Sequence, residues 1–393
     1  MAEHADVVIV GGGPVGAATA LALAKGTGEG RRLAVRVLEE RRQRADAADP
    51  RALALSYGSR LMLERLGVWA RLCAATPITE IHVSQKGSLG RTRMRAVEEG
   101  LPALGYVVDY ADLDEAMHEA LRAEGVCVAW GCRVSGFRAT HAEVSLDTAS
   151  ATGSDGLTAR LVAIADGGRG CVPPDATPPK IRDYGQAAVV ANVRTQRPHA
   201  QVAYERFTAS GPAALLPWKD RLSLVWTAPP ARAQALMAME APVFLEALQA
   251  HFGDRLGRFL EVGPRSSFPL SLKTVRPVAG VRTVALGNAA QTLHPVAGQG
   301  FNLGLRDAWD LADEILGTPP DALGSAPMLA RYAARRRLDT AGSIFFTDAL
   351  VRFFSNDPGT LGHGRGLLLG ALDGLPPIKH FVARRMMFGT RGF

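Results

Sequence analysis

The sequence has few cysteines, no long uninterrupted apolar run and no basic motif interleaved with aromatic residues. Its four cysteines show no C-x-x-C spacing, which argues against a zinc site and against a disulfide framework. No stretch approaches the roughly 20 apolar residues that a membrane-spanning helix needs, and no recognisable nucleic-acid reader is present. We therefore expect a protein with free thiols, no metal site, no spanning helix and no nucleic-acid partner.

The apolar segment 7–24 has some features of a secretory signal. It is preceded by Glu3 and Asp6 instead of a basic cluster, and three glycines and a proline interrupt its centre. We therefore expect a cytoplasmic protein. With 393 residues, 47% of them hydrophobic, the chain is long enough to bury a large core.

Charge is distributed unevenly along the chain. The formal net charge is +7, and no acidic residue follows Asp373, whereas basic residues alternate there with Phe, Val and Met. Two interpretations of this tail stay open. It could make peripheral contact with the anionic inner face of a membrane or with an acidic partner, or it could be a solvated helix packed on the body of the protein.

The N-terminal segment "DVVIVGGGPVGAATALALAKG" predicts a buried strand, a glycine turn and an Ala/Leu-rich helix. A second strand follows and is closed by Glu39, which completes a βαβ unit. In such a unit Gly11 makes the tight turn, Gly13 lets the backbone approach a pyrophosphate, and Gly16 lets helix and strand pack closely. This pattern predicts a dinucleotide-binding turn. The pyrophosphate of the bound dinucleotide would lie at the helix N-terminus, and Glu39 would accept hydrogen bonds from its ribose.

The rest of the chain alternates between two kinds of hydrophobic pattern. Helical periodicity covers 110–125 and most of 308–354, and apolar strands are predicted at 126–130 and at 161–165, where Asp166-Gly167 ends the strand. The alternation of half-buried antiparallel strands marks 78–95 and 187–227. The predicted fold class is therefore mixed α/β: a Rossmann-like layer interleaved with an antiparallel sheet, followed by C-terminal helices.

The segment "VALGNAAQTLHPVAGQGFNLGLRD" combines a strand, several glycines and the start of a helix at about residue 301. Backbone amides from Gly298 to Asn302 would point out of that helix and stabilise negative charge on a bound ring. A nicotinamide does not need such stabilisation, whereas a reduced, anionic flavin does. We expect Asp307 and Asp310 on the exposed side of this helix or capping its beginning. The basic segment 331–339 could touch a phosphate or a membrane, but we favour a solvated basic face.

Four stretches together resemble the FAD-dependent monooxygenases of the para-hydroxybenzoate hydroxylase type, and within that type the ubiquinone-biosynthesis hydroxylases of the 2-polyprenyl-6-methoxyphenol hydroxylase branch. They are "GGGPVGAATALALA", "DPRALALSYGSRLMLERLGVW", "IADGG" and "GNAAQTLHPVAGQGFNLGLRDAWDLADEIL". The middle sheet matches only loosely. The predicted discontinuous FAD-binding domain comprises 1–77, 106–182 and 276–340, the substrate-binding sheet domain 78–105 and 183–275, and the C-terminal helical segment 341–393.

The resemblance implies a role for each matching residue. Gly11, Gly13, Gly16 and Glu39 would hold the ADP half of FAD, and Asp166 would contact its middle. Asn288 would reach the ribityl-phosphate region, and Arg51 would lie where substrate meets flavin. The residues implied to line the isoalloxazine are Pro295, Gly298, Gln299, Gly300, Phe301 and Asn302.

Three positions depart from the pattern of the wider type. Asn288 stands where Asp is usual, although the ubiquinone branch commonly carries Asn. Arg169 stands two residues after Gly167, where relatives often continue with Ser and then Arg, so the choice between NADH and NADPH stays open. Asp109-Tyr110 replaces an Arg that many relatives carry before the following helix.

The candidate catalytic residues are His294, Pro295 and Arg51. Of these, His294 could act as a base that deprotonates a substrate hydroxyl. We favour the alternative, in which the His-Pro peptide shapes the turn and the imidazole is structural. Phe207, Trp218 and Trp226 are candidates for an aromatic pocket, although aromatics on such a sheet more often belong to the core.

By resemblance, the expected protein is an FAD-dependent hydroxylase that uses NAD(P)H and O₂ through a flavin hydroperoxide to hydroxylate a polyprenylated phenol in ubiquinone biosynthesis, in contact with other proteins of that pathway. Two alternatives stay open: a monooxygenase of a soluble aromatic compound, and a catalytically silent flavoprotein scaffold of a lipid-modifying complex.

Overall fold

The computed structural model describes residues 3–26, 33–42, 51–87, 90–149, 156–208, 211–294, 298–355 and 375–389. Within these ranges the α-helices are α1 (Pro14–Gly26), α2 (Tyr57–Arg65), α3 (Tyr110–Ala123), α4 (Pro230–Ala238), α5 (Ala241–Phe252), α6 (Gln299–Leu316), α7 (Ala326–Ser355) and α8 (Pro376–Phe388). The strands are β1 (Glu3–Val10), β2 (Val35–Glu39), β3 (Ala52–Ser56), β4 (Thr76–Ile78), β5 (Glu80–Gln85), β6 (Arg91–Arg95), β7 (Gly105–Asp109), β8 (Cys127–Trp130), β9 (Arg133–Ala139), β10 (Val144–Ala149), β11 (Leu157–Ile164), β12 (Lys180–Thr195), β13 (Val202–Phe207), β14 (Ala213–Trp218), β15 (Arg221–Ala228), β16 (Phe259–Val262), β17 (Ser266–Thr274), β18 (Ala279–Gly280), β19 (Thr283–Ala285) and β20 (Gln291–Thr292).

The first layer is a largely parallel sheet in the order β18-β19-β11-β1-β2-β8. Its central strand β1 pairs in parallel with β2 and with β11. Val7, Val8 and Ile9 are completely buried, because helices such as α1 cover one face of the sheet and a second apolar cluster covers the other. The predicted βαβ unit is present as β1, α1 and β2.

The second layer is a nine-stranded, mainly antiparallel sheet in the order β20-β17-β12-β15-β14-β13-β5-β6, with β16 also paired to β12. Helices α4 and α5 cover one face, where Trp226 packs edge-on against Phe244. Strands β3, β7 and β4 form a small third sheet. This combination of a parallel layer, an antiparallel layer and C-terminal helices confirms the predicted mixed α/β fold class.

Helices α6 and α7 are joined by a buried ion-pair network that contradicts two sequence expectations. The guanidinium of Arg336 donates to Asp307 at 2.6 Å, to Asp310 at 2.9 Å and to Asp339 at 3.0 Å. Asp307 is only 2% exposed and Arg336 only 4%. The expectation that Asp307 lies on an exposed face or caps the helix is therefore wrong, and the basic segment of α7 is not solvated throughout. Packing of the two charged helix faces against each other is the reason.

Helix α8 packs against α2. Tyr57 contacts Phe388 edge-on, with ring centroids 6.2 Å apart, and Met387 is buried in the same cluster. In the N-terminal half of α8, Phe381 is 70% exposed and Ile378 49% exposed. None of the helices in the described ranges is long and apolar enough to cross a membrane.

Candidate active site

A cavity of about 1170 Å³ lies between the two main layers. Its polar end is formed by the β1–α1 turn, the end of β2, the segment after β11 and the start of α6. Its apolar end is formed by β5, β6, β13 and β14 of the antiparallel sheet, together with residues of α7 and α8. The elements predicted to hold a nucleotide and those predicted to hold a substrate thus share one continuous space.

The glycines of the β1–α1 turn serve two different purposes. A Cβ on Gly11, which has φ +103°, would lie 2.4 Å from the carbonyl oxygen of Ala165, and a Cβ on Gly16 would lie 2.0 Å from that of Gly11. The backbone itself therefore requires glycine at both positions. A Cβ on Gly13 would meet only the Tyr110 hydroxyl, 4.0 Å away. Gly13 borders open cavity, as close approach of a pyrophosphate requires.

Glu39 lies at the carboxyl end of β2 with its side chain 5% exposed. One carboxylate oxygen accepts the backbone N–H of Gly12 at 2.7 Å, and the other accepts the N–H and the Nε of Arg41 at 2.9 and 3.1 Å. Burial raises the pKa of Glu39, but the hydrogen bonds and charge of Arg41 outweigh it, so the net shift is downward. Glu39 lines the cavity as an ionised acceptor, which suits ribose hydroxyls. Arg41 carried no motif and was missed.

Asp166 shapes the loop that follows β11. Its carboxylate accepts the backbone N–H of Gly168 at 2.8 Å and that of Cys171 at 2.9 Å. Asp166 and Arg169 both line the cavity, as does Asn288 on the facing turn. The predicted cofactor residues of this region are therefore brought together, and Arg169 lies within reach of ligands in the cavity.

The N-terminus of α6 borders the same cavity. Gly298 precedes the helix with φ +59°, and a Cβ there would lie 3.1 Å from the Cβ of Ala54. Gly298, Gly300 and Phe301 line the cavity. Since the first N–H groups of a helix have no partner within the helix, this end offers positive potential to a bound ring.

Asn302 and Gln299, which belong to the same segment at the start of α6, lie away from the cavity. The Asn302 oxygen accepts the Ser56 N–H at 2.8 Å and the Ser59 hydroxyl at 2.7 Å, and its amide nitrogen donates to the carbonyls of Ala54 and Gly298. Neither Asn302 nor Gln299 lines the cavity. The side chain of Asn302 therefore ties α6 to β3 and α2. Pro295 lies outside the described residues.

His294 is 1% exposed and is not part of the cavity lining. Its Nε2 lies 3.3 Å from the amide oxygen of Gln186, and its ring contacts Tyr184 edge-on at 5.2 Å between centroids. Burial lowers the pKa of His294 to about 4, so the imidazole is neutral at physiological pH. These surroundings favour the structural role for the side chain.

Arg51 lines the cavity, with its guanidinium 5.2 Å from the centroid of the Tyr110 ring. Tyr110, which stands in the region where relatives carry Arg, also lines the cavity beside Gly13. The preceding Asp109 instead accepts the Trp218 indole N–H at 2.6 Å. Tyr110 is thus a second site residue that motif matching missed, since only the fold shows that it faces the glycine turn.

Of the three aromatic candidates, Phe207 lines the cavity, whereas Trp218 and Trp226 do not. Trp226 instead belongs to the core beneath α4 and α5. The described sheet residues that line the apolar end are Ile81, Val83, Thr92, Met94, Ala203, Tyr204, Glu205, Phe207, Ala214, Leu216 and Val225. Glu205 is the charged residue of this set, and no motif had singled it out.

Comparison with known proteins identifies relatives of the whole chain. The model of the family described as "FAD binding domain" matches residues 4–342. "Ubiquinone hydroxylase UbiL" of Rhodospirillum rubrum is 37% identical, covering 98% of this chain and 89% of that protein. "3-demethoxyubiquinol 3-hydroxylase" of Escherichia coli is 32% identical, covering 94% of this chain and 95% of that protein.

Among solved structures, p-nitrophenol 4-monooxygenase PnpA from Pseudomonas putida superposes with a TM-score of 0.77, covering 99% of this chain and 100% of that one. At 20% identity, this likeness establishes a shared fold.

Proposed function

The chain belongs to the FAD-binding domain family and is an FAD-dependent monooxygenase, and from this premise we propose that it hydroxylates a polyprenylated phenol in ubiquinone biosynthesis. NAD(P)H is the proposed reductant and O₂ the co-substrate. The observation that carries the proposal is the single cavity that connects the glycine-rich turn and the α6 N-terminus with an apolar sheet face. Relatives named as ubiquinone hydroxylases match nearly the full length of the chain and support this substrate class.

The residues at the polar end fit FAD. Space beside Gly13 admits the pyrophosphate, and ionised Glu39 accepts hydrogen bonds from a ribose. Gly298 and Gly300 line the cavity at the start of α6, and because they have no side chain, the backbone there can come close to the flavin ring. When bound and reduced, the flavin activates O₂ and supplies the oxygen atom that the ring receives.

The chain's own contribution is to orient the substrate and to keep the reaction away from water. Apolar side chains of β5, β6, β13 and β14 form the cavity wall that would hold an aromatic ring. A cavity wall that excludes water also limits side reactions of the activated oxygen with solvent. Phe346 of α7 and Val382 and Met386 of α8 extend the lining towards the C-terminal helices, which gives a prenyl chain an apolar path.

Removal of this gene from its source cell tests the function. The expected result is an accumulated quinone precursor that lacks one oxygen atom, identified by lipid mass spectrometry. The wild-type gene should restore the hydroxylated product, whereas a gene encoding Gly13→Val should not. Normal quinone without an accumulated precursor, in a cell with no second hydroxylase for that step, would contradict the proposal. Restoration by Gly13→Val would instead favour a scaffold without catalysis.

The proposed function includes peripheral membrane contact through α8, since a prenylated substrate resides in lipid. Phe381 and Ile378 project from α8 with 70% and 49% exposure, and Phe345 of α7 is 76% exposed. Val382, the neighbour of Phe381, lines the cavity. The exposed apolar residues therefore lie on helices that also reach the cavity. Contact with other proteins of the pathway stays a prediction.

We expect Phe381→Ser to weaken binding of the FAD-loaded enzyme to anionic phospholipid vesicles by about 10-fold, since burying a Phe side chain contributes about 1.5 to 3 kcal/mol. Vesicle co-sedimentation measures the effect. The matched control is Phe268→Ser, at an exposed Phe of β17 that lies in the antiparallel sheet. Equal losses in both variants, or no loss in either, would contradict a membrane role for α8.

A further inference from the structure

Glu205 lies in the middle of β13, and the residues paired with it on the two neighbouring strands are uncharged. Its register partners are Val83 on β5 and Ala214 on β14. Alternation along the strand places Glu205 on the same face as Ala203 and Phe207, and all three line the cavity. The carboxyl group therefore belongs to the cavity wall and not to the outer surface.

The charged and titratable neighbours on the same elements face elsewhere. Tyr204 borders the cavity, but its ring packs edge-on against Phe252, and Arg206 donates to the carbonyl of His251. Alternation along β13 places these two side chains on the face opposite Glu205. His82, beside Val83 on β5, contacts Tyr204 on that face.

The elements packed around Glu205 present uncharged groups to it. The cavity-lining residues of β5, β6, β14 and β15 are Ile81, Val83, Thr92, Met94, Ala214, Leu216 and Val225. The other charged residues that line the cavity all lie outside β5, β6, β13, β14 and β15; they are Glu39, Glu40, Arg41, Arg51, Arg133, Asp166 and Arg169.

Within the part of the chain that the structure describes, Glu205 has no hydrogen-bond or ion-pair partner. An unpaired carboxylate in apolar surroundings is unfavourable, and burial accordingly raises the pKa of Glu205 to about 7. At neutral pH both protonation states are therefore populated. A group with these properties is suited to exchange a proton with a ligand hydroxyl.

We propose that Glu205 is a catalytic residue of the hydroxylation, whose carboxylate accepts the proton of the phenolic hydroxyl as the ring receives oxygen. This inference rests on the proposed function and assigns a residue to a step of it. It does not involve His294, which is buried away from the cavity.

The step balances within one turnover. The phenolic O–H bond breaks, its proton moves to the Glu205 carboxylate, and the freed electron pair forms a carbonyl while the ring carbon bonds one oxygen atom of O₂. The O–O bond breaks, the other oxygen atom leaves as water, and NAD(P)H supplies the two reducing electrons through the cofactor. The ring carbon then loses its C–H proton to solvent, and the carbonyl oxygen takes the proton back from Glu205. The carboxyl group ends the turnover unchanged, and the ring gains one hydroxyl.

The test compares wild type with Glu205→Gln, as FAD-loaded enzyme acting on a short-chain prenylated phenol in detergent between about pH 5.5 and pH 8. For wild type, kcat/KM should rise with pH through about 7 as the carboxyl group ionises. For Glu205→Gln it should be flat, about 100-fold below wild type at high pH and only a few-fold below it at low pH, where wild type is itself protonated.

Two further variants separate catalysis from folding. Glu205→Asp should keep the rise with pH at a reduced rate, because it retains a carboxylate. Glu261→Gln, at a surface Glu on β16 paired with Arg194, makes the same chemical change outside the cavity and should leave the profile unchanged. Wild-type kcat/KM for Glu205→Gln at high pH, or a surviving rise with pH in that variant, would overturn the proposal.

Thermal unfolding supplies a readout that needs no turnover. Because the folded-state pKa of Glu205 is raised from 4.5 to about 7, wild type loses stability as pH rises through this window. Glu205→Gln should therefore melt at a higher temperature than wild type at about pH 8 and similarly at about pH 5. Absence of turnover by wild type would overturn the proposed substrate class. Equal melting differences at both pH values would show that the pKa of Glu205 is not raised, and would overturn the proposed role of Glu205.

Discussion

Substitution of Gly13 by Val is expected to yield a folded protein that does not retain FAD and does not hydroxylate. A Cβ at this position meets no atom closer than the Tyr110 hydroxyl at 4.0 Å, so the apoprotein has room for it. The Val side chain instead occupies the cavity beside the turn, where a pyrophosphate must approach the backbone. Activity should be lost completely, because the reaction depends on the cofactor.

The measurements are bound flavin per chain and the melting curve with and without FAD. Wild type should gain about 3 to 4 kcal/mol of stability when FAD exceeds its Kd by about 100- to 1,000-fold, whereas Gly13→Val should gain none. The matched comparison is Gly16→Val. Its Cβ would lie 2.0 Å from the Gly11 carbonyl oxygen, so this variant should fail to fold. A flavin-loaded Gly13→Val protein would show that this turn does not hold the pyrophosphate.

Substitution of Arg336 by Met should lower the free energy of unfolding by about 3 to 5 kcal/mol, the usual effect of removing one partner from a buried ion pair. Arg336 is bonded to Asp307, Asp310 and Asp339, and its loss leaves their carboxylates without this cation. Asp307 also accepts the Gly287 N–H at 2.9 Å. The turn that carries Asn288 at the cavity should therefore loosen as well, and FAD should bind more weakly.

Chemical denaturation and flavin release measure both effects. Arg337, the next residue along α7, is exposed, and Arg337→Met should change stability by no more than about 0.5 kcal/mol. Similar effects for the two variants would contradict the conclusion that the network between α6 and α7, and not helix charge in general, supports the fold and the cavity.

Much of the polar end of the cavity was predictable, because the residues that it requires are set by neighbours close in sequence. The turn needs glycine at Gly11 and Gly16 for reasons set by a few neighbouring backbone atoms. An acidic residue at the end of the second strand faces the same turn in any βαβ unit, and the structure places Glu39 there. The resemblance to a flavoprotein family was confirmed by the family match over residues 4–342.

The sequence by itself therefore determined the mixed α/β class, the βαβ unit and the type of cofactor. Only the tertiary structure decided which side chains meet across the chain: Asn302 with Ser56, Arg336 with Asp307, and Tyr110 with the glycine turn. It also decided that Glu205 faces a cavity and His294 does not. The physical reason is that backbone conformation and periodicity depend on near neighbours, whereas burial and charge pairing depend on segments that lie far apart in sequence and that packing alone brings together.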